Sequence, residues 1–380
     1  MKVILSVEPV RFPLTGIGRY TWELARQLQK SQEISELRFF AGRHFLSDLP
    51  TAGEQSDHQH KLKRWVQQSY IATEAYRLLM PMLKRQSLRG YEDFLYHGPN
   101  FFLPPFAGKR VATFHDLSPF TWTQCNTPQR IRFTQKELLK TLQRADALIT
   151  DSDFTRTELA DYFSWPMERI HTVPLACGPD FHPRAPEQLL PALTRYGLSP
   201  GGYTLFVGTI EPRKNILTLL DAYSKLPRSL RQRWPLILTG YRGWRSELIH
   251  ERIQQAEHEG WARYLGFTPA EDLPLLFAGA RLFAFPSHYE GFGLPVLEAM
   301  RSGVPVVCSN SSSLPEVAGD AALMCASEDV DSLQALLQQG LEDEVWRTAA
   351  IVRGLKRVEQ FSWQRCAEET QAVYRKVLEA

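Results

Sequence analysis

The chain has 380 residues, 43% hydrophobic and 23% charged, with a formal net charge of +2. That length exceeds one ordinary core and predicts two domains of roughly 150–200 residues each. The near-balanced charge excludes a dedicated nucleic-acid binder, and the composition excludes a disordered or fibrous chain.

The chain opens on Val3–Val7, an apolar run that meets Glu8 and Pro9 too early for a signal peptide and suits a first buried strand. A helix follows around Tyr20–Gln29, then strands at Leu37–Ala41, Phe94–Tyr96, Val111–Phe114 and Ala147–Thr150. Residues 61–90 carry seven basic residues (Lys61, Lys63, Arg64, Arg77, Lys84, Arg85, Arg89) against one acid, Glu74, with aromatic and aliphatic residues interleaved. Such a stretch suits an anionic membrane surface, or equally an apolar face packed on the sheet with its charges in water; both readings stay open. Prolines and glycines crowd the segment between Pro174 and Gly202, where the domain boundary is expected. Strands then recur at Tyr203–Val207, Pro235–Thr239, Arg263–Leu265, Leu282–Phe285 and Val304–Cys308, and Ser362 is the expected N-cap of a last helix. Strand and helix alternating throughout predict two doubly wound α/β halves.

The five cysteines are scattered, without a Cys-x-x-Cys pair, as in reduced thiols of a cytosolic protein. No apolar run approaches the ~20 residues of a membrane span. Asp151-Ser152-Asp153 spells a metal-binding D-x-D, but it stands between a strand and a helix, where capping by Ser152 or Asp153 is the expected role. The histidines show no ligand spacing, and no metal or other cofactor is expected.

Four stretches carry chemistry. Gly16-Ile17-Gly18-Arg19-Tyr20 begins a helix and can face an anion with free N–H groups, although Thr21 breaks the dinucleotide fingerprint. After a strand, Gly208 leads to Arg213 and Lys214 at a helix start, where the macrodipole disfavours cations unless an anionic ligand compensates. That favours a diphosphate site over merely solvated charge. Phe285–Ala299 holds Glu290, then Gly291-Phe292-Gly293-Leu294, then Glu298 about one turn into a helix. Two glutamates so placed can divide labour, one accepting from a ribose diol and the other facing a sugar. Phe114-His115-Asp116-Leu117 follows a strand of the first half.

In this order and spacing, together with Leu265-Gly266-Phe267 and Leu314-Pro315-Glu316-Val317, the motifs resemble family-four GT-B glycosyltransferases over essentially the whole chain. The opening residues, Ser6–Pro9 and Pro13–Thr21, are similar to those of bacterial O-antigen mannosyl- and D-rhamnosyltransferases. The resemblance implies two Rossmann-like domains with a cleft between them: 1–178 on the acceptor side, 179–200 as linker, 201–360 for the nucleotide-sugar, and 361–380 as a helix crossing back. It implies that Glu298 accepts the ribose hydroxyls and that Glu290 and His115 are catalytic groups facing the donor sugar. Lys214 and Arg213 would neutralise the diphosphate, with Gly16, Gly18 and Gly208 close to it. Phe267 would present its backbone to the base, and the N–H groups of Gly291, Phe292, Gly293 and Leu294 would meet donor oxygens. Thr209 stands where many relatives carry arginine, which shifts weight to Arg213. The implied activity is retaining transfer of a hexose, mannose or D-rhamnose from a GDP-sugar, to a lipid-linked glycan of a cell-surface polysaccharide. The implied partners are the donor and a glycan or polyprenyl-diphosphate-linked acceptor, at the inner face of the cytoplasmic membrane. An epimerase or hydrolase on the same fold, or a silent nucleotide-sugar-binding subunit, stays as an alternative.

Overall fold

The computed structural model describes residues 1–14, 16–51, 70–125 and 127–380. Its first sheet has seven strands in the order β3-β2-β1-β4-β5-β6-β7. These are β1 (Lys2–Ser6), β2 (Glu36–Ala41), β3 (His44–Leu46), β4 (Leu95–Gly98), β5 (Lys109–Phe114), β6 (Ala147–Thr150) and β7 (Ile170–Thr172). All neighbours are parallel except β2 and β3. The second sheet, order β10-β9-β8-β11-β12-β13, comprises β8 (Thr204–Val207), β9 (Leu236–Thr239), β10 (Ala262–Tyr264), β11 (Leu282–Phe285), β12 (Val306–Ser309) and β13 (Ala322–Cys325). Each sheet is a doubly wound open sheet that reverses direction once, between β1 and β4 and between β8 and β11.

The central strands are continuous apolar runs because helices cover both their faces. Leu282–Phe285 and Leu236–Leu238 are wholly buried. One face of the first sheet packs Ile4, Tyr96, Phe114 and Leu148 into a separate cluster. The opposite face shares a core with the second sheet, and the last helix, Trp363–Glu379, belongs to that shared core. Ser362 caps this helix, accepting from the Arg365 N–H. The helix lies against Gly16–Lys30, and its Tyr374 hydroxyl meets His97 Nδ1 at 2.6 Å while His97 Nε2 meets Thr113 Oγ1 at 2.8 Å.

The proline-rich stretch 179–200 is more regular than a linker. It contains the helix Pro186–Arg195, which buries Leu189, Ala192 and Leu193 and packs against Leu273–Ala278 of the second domain. Pro186 fits the first helical turn, where its missing N–H has no intrahelical partner to lose. Of the basic segment, Lys61, Lys63 and Arg64 lie outside the described residues. Lys84 is not a solvated charge: it pairs with Glu8 at 2.6 Å. Leu79 and Met82 on the same helix, Tyr70–Ser87, are exposed. No helix among the described residues is long and apolar enough to cross a membrane.

Candidate active site

At the reversal point of the second sheet, the loops after β8 and β11 converge on Glu290. The chain leaves β8 through Gly208, forms a tight turn at Pro212–Lys214, and starts the helix Ile216–Ser224 from Asn215. Asn215 holds a left-handed conformation, and its amide donates to the carbonyls of Pro286 (2.9 Å) and Ser327 (2.5 Å), which ties this turn to the loop after β11. The cations therefore stand in a turn before the helix rather than in its first turn. Lys214 Nζ reaches Glu290 Oε1 at 2.6 Å, and Arg213 Nη1 reaches Glu290 Oε2 at 3.3 Å. Arg213 also pairs with Glu211 at 2.8 Å and donates to the Tyr289 carbonyl at 2.8 Å.

Lys214 and Glu290 are both buried. Burial drives the Lys214 ammonium below its ordinary range, and Glu290 restores only part of the loss, partly because Arg213 repels it. Burial would push the Glu290 carboxyl up, but Lys214 and Arg213 outweigh it and hold the carboxylate below its usual range. Two cations and two carboxylates, Glu290 and Glu211, thus meet in a desolvated corner. An anion bound there would compete with Glu290 and Glu211 for the two cations.

Glycine is required twice in the following loop. A Cβ on Gly291 would collide with the His115 carbonyl oxygen of the first domain. Gly293 has φ +114° where it caps the helix Leu294–Arg301. Phe292 is packed edge-on against Phe361, with ring centroids 5.8 Å apart. The side chain of Glu298, in the second turn, makes no hydrogen bond or ion pair with any described residue. Burial pushes its carboxyl up to about 8, opposed only by the positive charge of Arg19. Arg19, on the helix that Gly16 and Gly18 begin, thereby brings the first domain's glycine loop opposite Glu298. Gly16 is exposed at that helix start, and Gly18 is buried beneath the Pro9 carbonyl. Phe267 lies one loop further along the sheet, stacked on Tyr241 with centroids 4.4 Å apart. It is connected to the loop after β8 through Gly240, whose N–H donates to the Gly266 carbonyl and whose α-carbon abuts Gly208.

His115 is placed differently from a free catalytic group. Its Nδ1 meets Asp151 Oδ2 at 2.7 Å and its Nε2 meets the Pro99 carbonyl at 2.8 Å, so both ring nitrogens are committed within the first domain. Burial alone would lower the imidazole, but the Asp151 carboxylate outweighs it and raises His115 above its ordinary range. What His115 presents to Gly291 is backbone. The same hydrogen bond dissolves the D-x-D triplet: Asp151 serves His115, Ser152 caps the helix Asp153–Phe163, and Asp153 accepts from Thr172. No group of three or more potential metal ligands occurs among the described residues.

The domains meet through side chains to which the sequence assigns no interdomain role. Ser152 and Thr155 hydroxyls donate to the Gly291 carbonyl at 2.7 and 3.2 Å. Tyr289 accepts from the Leu117 N–H at 2.8 Å and donates to Glu158 at 2.5 Å. Glu316 accepts from the N–H groups of Asp153 (2.8 Å) and Phe154 (2.6 Å) at a helix N-terminus of the other domain. Trp122 stacks on His288 with centroids 5.6 Å apart. These partners lie more than 130 residues apart in sequence, beyond the reach of any local pattern.

Two doubly wound domains that face each other across loops of this kind, with a cation pair beside a carboxylate on one side, define a two-domain glycosyltransferase. Residues 14–180 match Glycosyltransferase Family 4 and residues 199–357 match Glycosyl transferases group 1, and the chain belongs to this family of glycosyltransferases. It is 47% identical over 379 residues to the O-antigen chain mannosyltransferase B of Escherichia coli, covering 99% of this chain and 100% of that protein. It is 34% identical over 267 residues to the serotype-specific mannosyltransferase WbdA of E. coli, matching 68% of this chain and 32% of that protein. The fold resembles sucrose-phosphate synthase from Thermosynechococcus elongatus (TM-score 0.73, 19% identity, 100% of this chain and 99% of that one). It also resembles Anabaena HepE in complex with UDP and glucose (TM-score 0.72, 16% identity, 99% and 100%).

Proposed function

We propose that this chain is a mannosyltransferase of O-antigen biosynthesis, which moves mannose from GDP-mannose, with retention of configuration, onto a lipid-linked glycan. The full-length identity to an O-antigen chain mannosyltransferase supports the sugar and the pathway. The observation that carries the chemistry is the buried cluster of Lys214 and Arg213 around Glu290, with Glu211 on the far side of Arg213, at the reversal point of the second sheet. As the glycosidic bond to the diphosphate breaks, negative charge grows on the leaving phosphate and positive charge on the sugar ring. Lys214 and Arg213, already fixed by Glu290 and Glu211, meet the first charge without reorganising. A donor phosphate oxygen takes the acceptor's proton, and Glu290 lies beside the sugar. Glu298 accepts the ribose hydroxyls, while Gly16 and Gly18 bring helix-start N–H groups toward the diphosphate. The N–H groups of Gly291 to Leu294 face donor oxygens, and the Phe267 backbone faces the base. His115 contributes by fixing the loop that abuts Gly291, since both its ring nitrogens are committed. The protein works at the inner face of the cytoplasmic membrane, where Leu79 and Met82 offer an apolar contact beside the basic segment.

The test is binding against turnover. Glu290→Gln keeps the shape but releases Lys214 and Arg213, so GDP affinity should hold or rise while mannosyl transfer falls by about 100-fold, as when a reacting group loses its position. Turnover should persist in EDTA. Loss of GDP binding in Glu290→Gln, or restoration of EDTA-abolished activity by Mg²⁺, would overturn this reading.

A further inference from the structure

Lys214 and Arg213 both reach the Glu290 carboxylate, and it stays between them only if its own peptide is held in place. Glu290 lies in the loop between β11 and the helix Leu294–Arg301, so no ladder of backbone hydrogen bonds fixes it. Side chains take over that task. Four consecutive carbonyls accept from them: Tyr289 from Arg213 at 2.8 Å, Glu290 from the Ser313 hydroxyl at 2.8 Å, Gly291 from Ser152 and Thr155, and Phe292 from Ser313 again at 2.7 Å. The Glu290 N–H donates to Ser312 Oγ at 2.9 Å. Two adjacent serines of the loop after β12 therefore hold both polar groups of the Glu290 backbone.

Neither serine serves its own segment. Ser313 precedes the helix Leu314–Ala318, where a serine hydroxyl ordinarily accepts from an N–H of the first turn. It makes no such cap bond with any described residue. Its side chain is wholly buried, and it shares one hydrogen between the Glu290 and Phe292 carbonyls. Ser312 has φ +54°, a left-handed conformation that glycine adopts freely and other residues adopt with strain. Its hydroxyl hydrogen goes to the Ser311 carbonyl at 2.7 Å, which leaves the oxygen lone pairs to face the Glu290 N–H. Strain of this kind persists where the surrounding structure fixes it, and it gathers at functional sites.

We propose that Ser312 and Ser313 are positioning residues for the transfer reaction: by gripping the N–H and the carbonyl of Glu290, they hold its carboxylate at Lys214 and Arg213 and toward the donor sugar. That Glu290 faces a donor sugar rests on the mechanism proposed above; the grip on its backbone does not.

The test compares Ser312→Gly and Ser312→Ala in the full chain. Both remove the same hydroxyl, but only glycine takes the left-handed backbone without strain, so Tm should be higher in Ser312→Gly than in Ser312→Ala. The kcat for mannosyl transfer should fall by about tenfold in both, the scale of one lost hydrogen bond, whatever their Tm. Donor KM and GDP affinity should stay within about twofold of the unsubstituted protein, because a displaced reacting group lowers turnover rather than ground-state binding. Amide exchange of the peptide spanning 289–294 should quicken in both, since the Glu290 N–H has lost its acceptor. Ser313→Ala should lower kcat in the same way and lower Tm further, because two buried carbonyls lose their donor. An unchanged kcat in both Ser312 variants overturns the proposal. So does a kcat that follows Tm, recovered in Ser312→Gly and lost in Ser312→Ala, which would make the serine a support of the fold. If the unsubstituted protein transfers no mannose from GDP-mannose, the donor reading fails instead. Faster exchange over 289–294 in Ser312→Gly then leaves the grip on Glu290 standing, and unchanged exchange removes it.

Discussion

Glu298 shows how burial turns a single side chain into a linked equilibrium. With its carboxyl pushed up to about 8 from an ordinary 4.5, the folded protein retains a proton that the unfolded chain has already lost. The stability this contributes is full below pH 4.5 and is lost as pH rises through 8. A ribose diol donates more strongly to a carboxylate than to a neutral acid, so donor binding should expel that proton. GDP affinity should therefore climb with pH between about 6 and 8, by at most tenfold per pH unit, and level off above 8. Calorimetry in two buffers of different ionisation enthalpy measures the released proton. Glu298→Gln should bind GDP more weakly and without this slope; a slope that survives the substitution assigns the proton to another group. The Glu298 position was legible in sequence as one turn into a helix after a glycine loop. Its isolation from every cation except Arg19 was not, because Arg19 arrives from the other domain.

The elements were legible where a strand is central and buried. β6 and β11 are read from sequence with their observed limits, Ala147–Thr150 and Leu282–Phe285, since helices on both faces demand an unbroken apolar run. Three strands escaped. His44–Leu46 and Ile170–Thr172 are three-residue edge strands, too short for any periodicity, and Ala322–Cys325 is written in alanine, leucine and methionine, which prefer helices. Sheet pairing decides those segments. Helix ends were easier, because a cap is a local hydrogen bond: Ser152 and Ser362 both cap as their sequence context implies. The helix Asp153–Phe163 has a second cap that no local rule finds, the Glu316 carboxylate of the other domain. Being exposed, this contact should contribute about 0.3–1 kcal/mol to holding the domains together. Glu316→Ala should accordingly lower kcat/KM by about two- to fivefold while leaving Tm nearly unchanged. A drop in Tm of several degrees would show that the carboxylate supports the fold rather than the docking.

The largest scale at which the molecule is specified is the contact between its halves. Gly291 lets the loop after β11 touch the His115 backbone, and its carbonyl is held by Ser152 and Thr155. Adding one methyl group there should force the domains apart. Gly291→Ala should reduce turnover by about 100-fold, the scale of roughly 1 Å misplacement of reacting groups. GDP should still bind to the second domain, and small-angle scattering should report a larger radius of gyration. Full activity with an unchanged radius would mean that the two loops separate in solution without consequence.

The sequence by itself determined the α/β class, two doubly wound halves, the family, and which glycine-flanked loops bear charge, because apolar periodicity and such motifs are local and survive without coordinates. Only the tertiary structure decided what those charges do to one another. It placed Lys214 and Arg213 on Glu290, 76 and 77 residues away. It spent both nitrogens of His115 inside its own domain and gave the proline-rich segment a helix that joins the second core. Each of these depends on the direction and burial of side chains brought together by strand crossovers. Electrostatic energy in a desolvated site is set by those distances, which no spacing along the chain encodes.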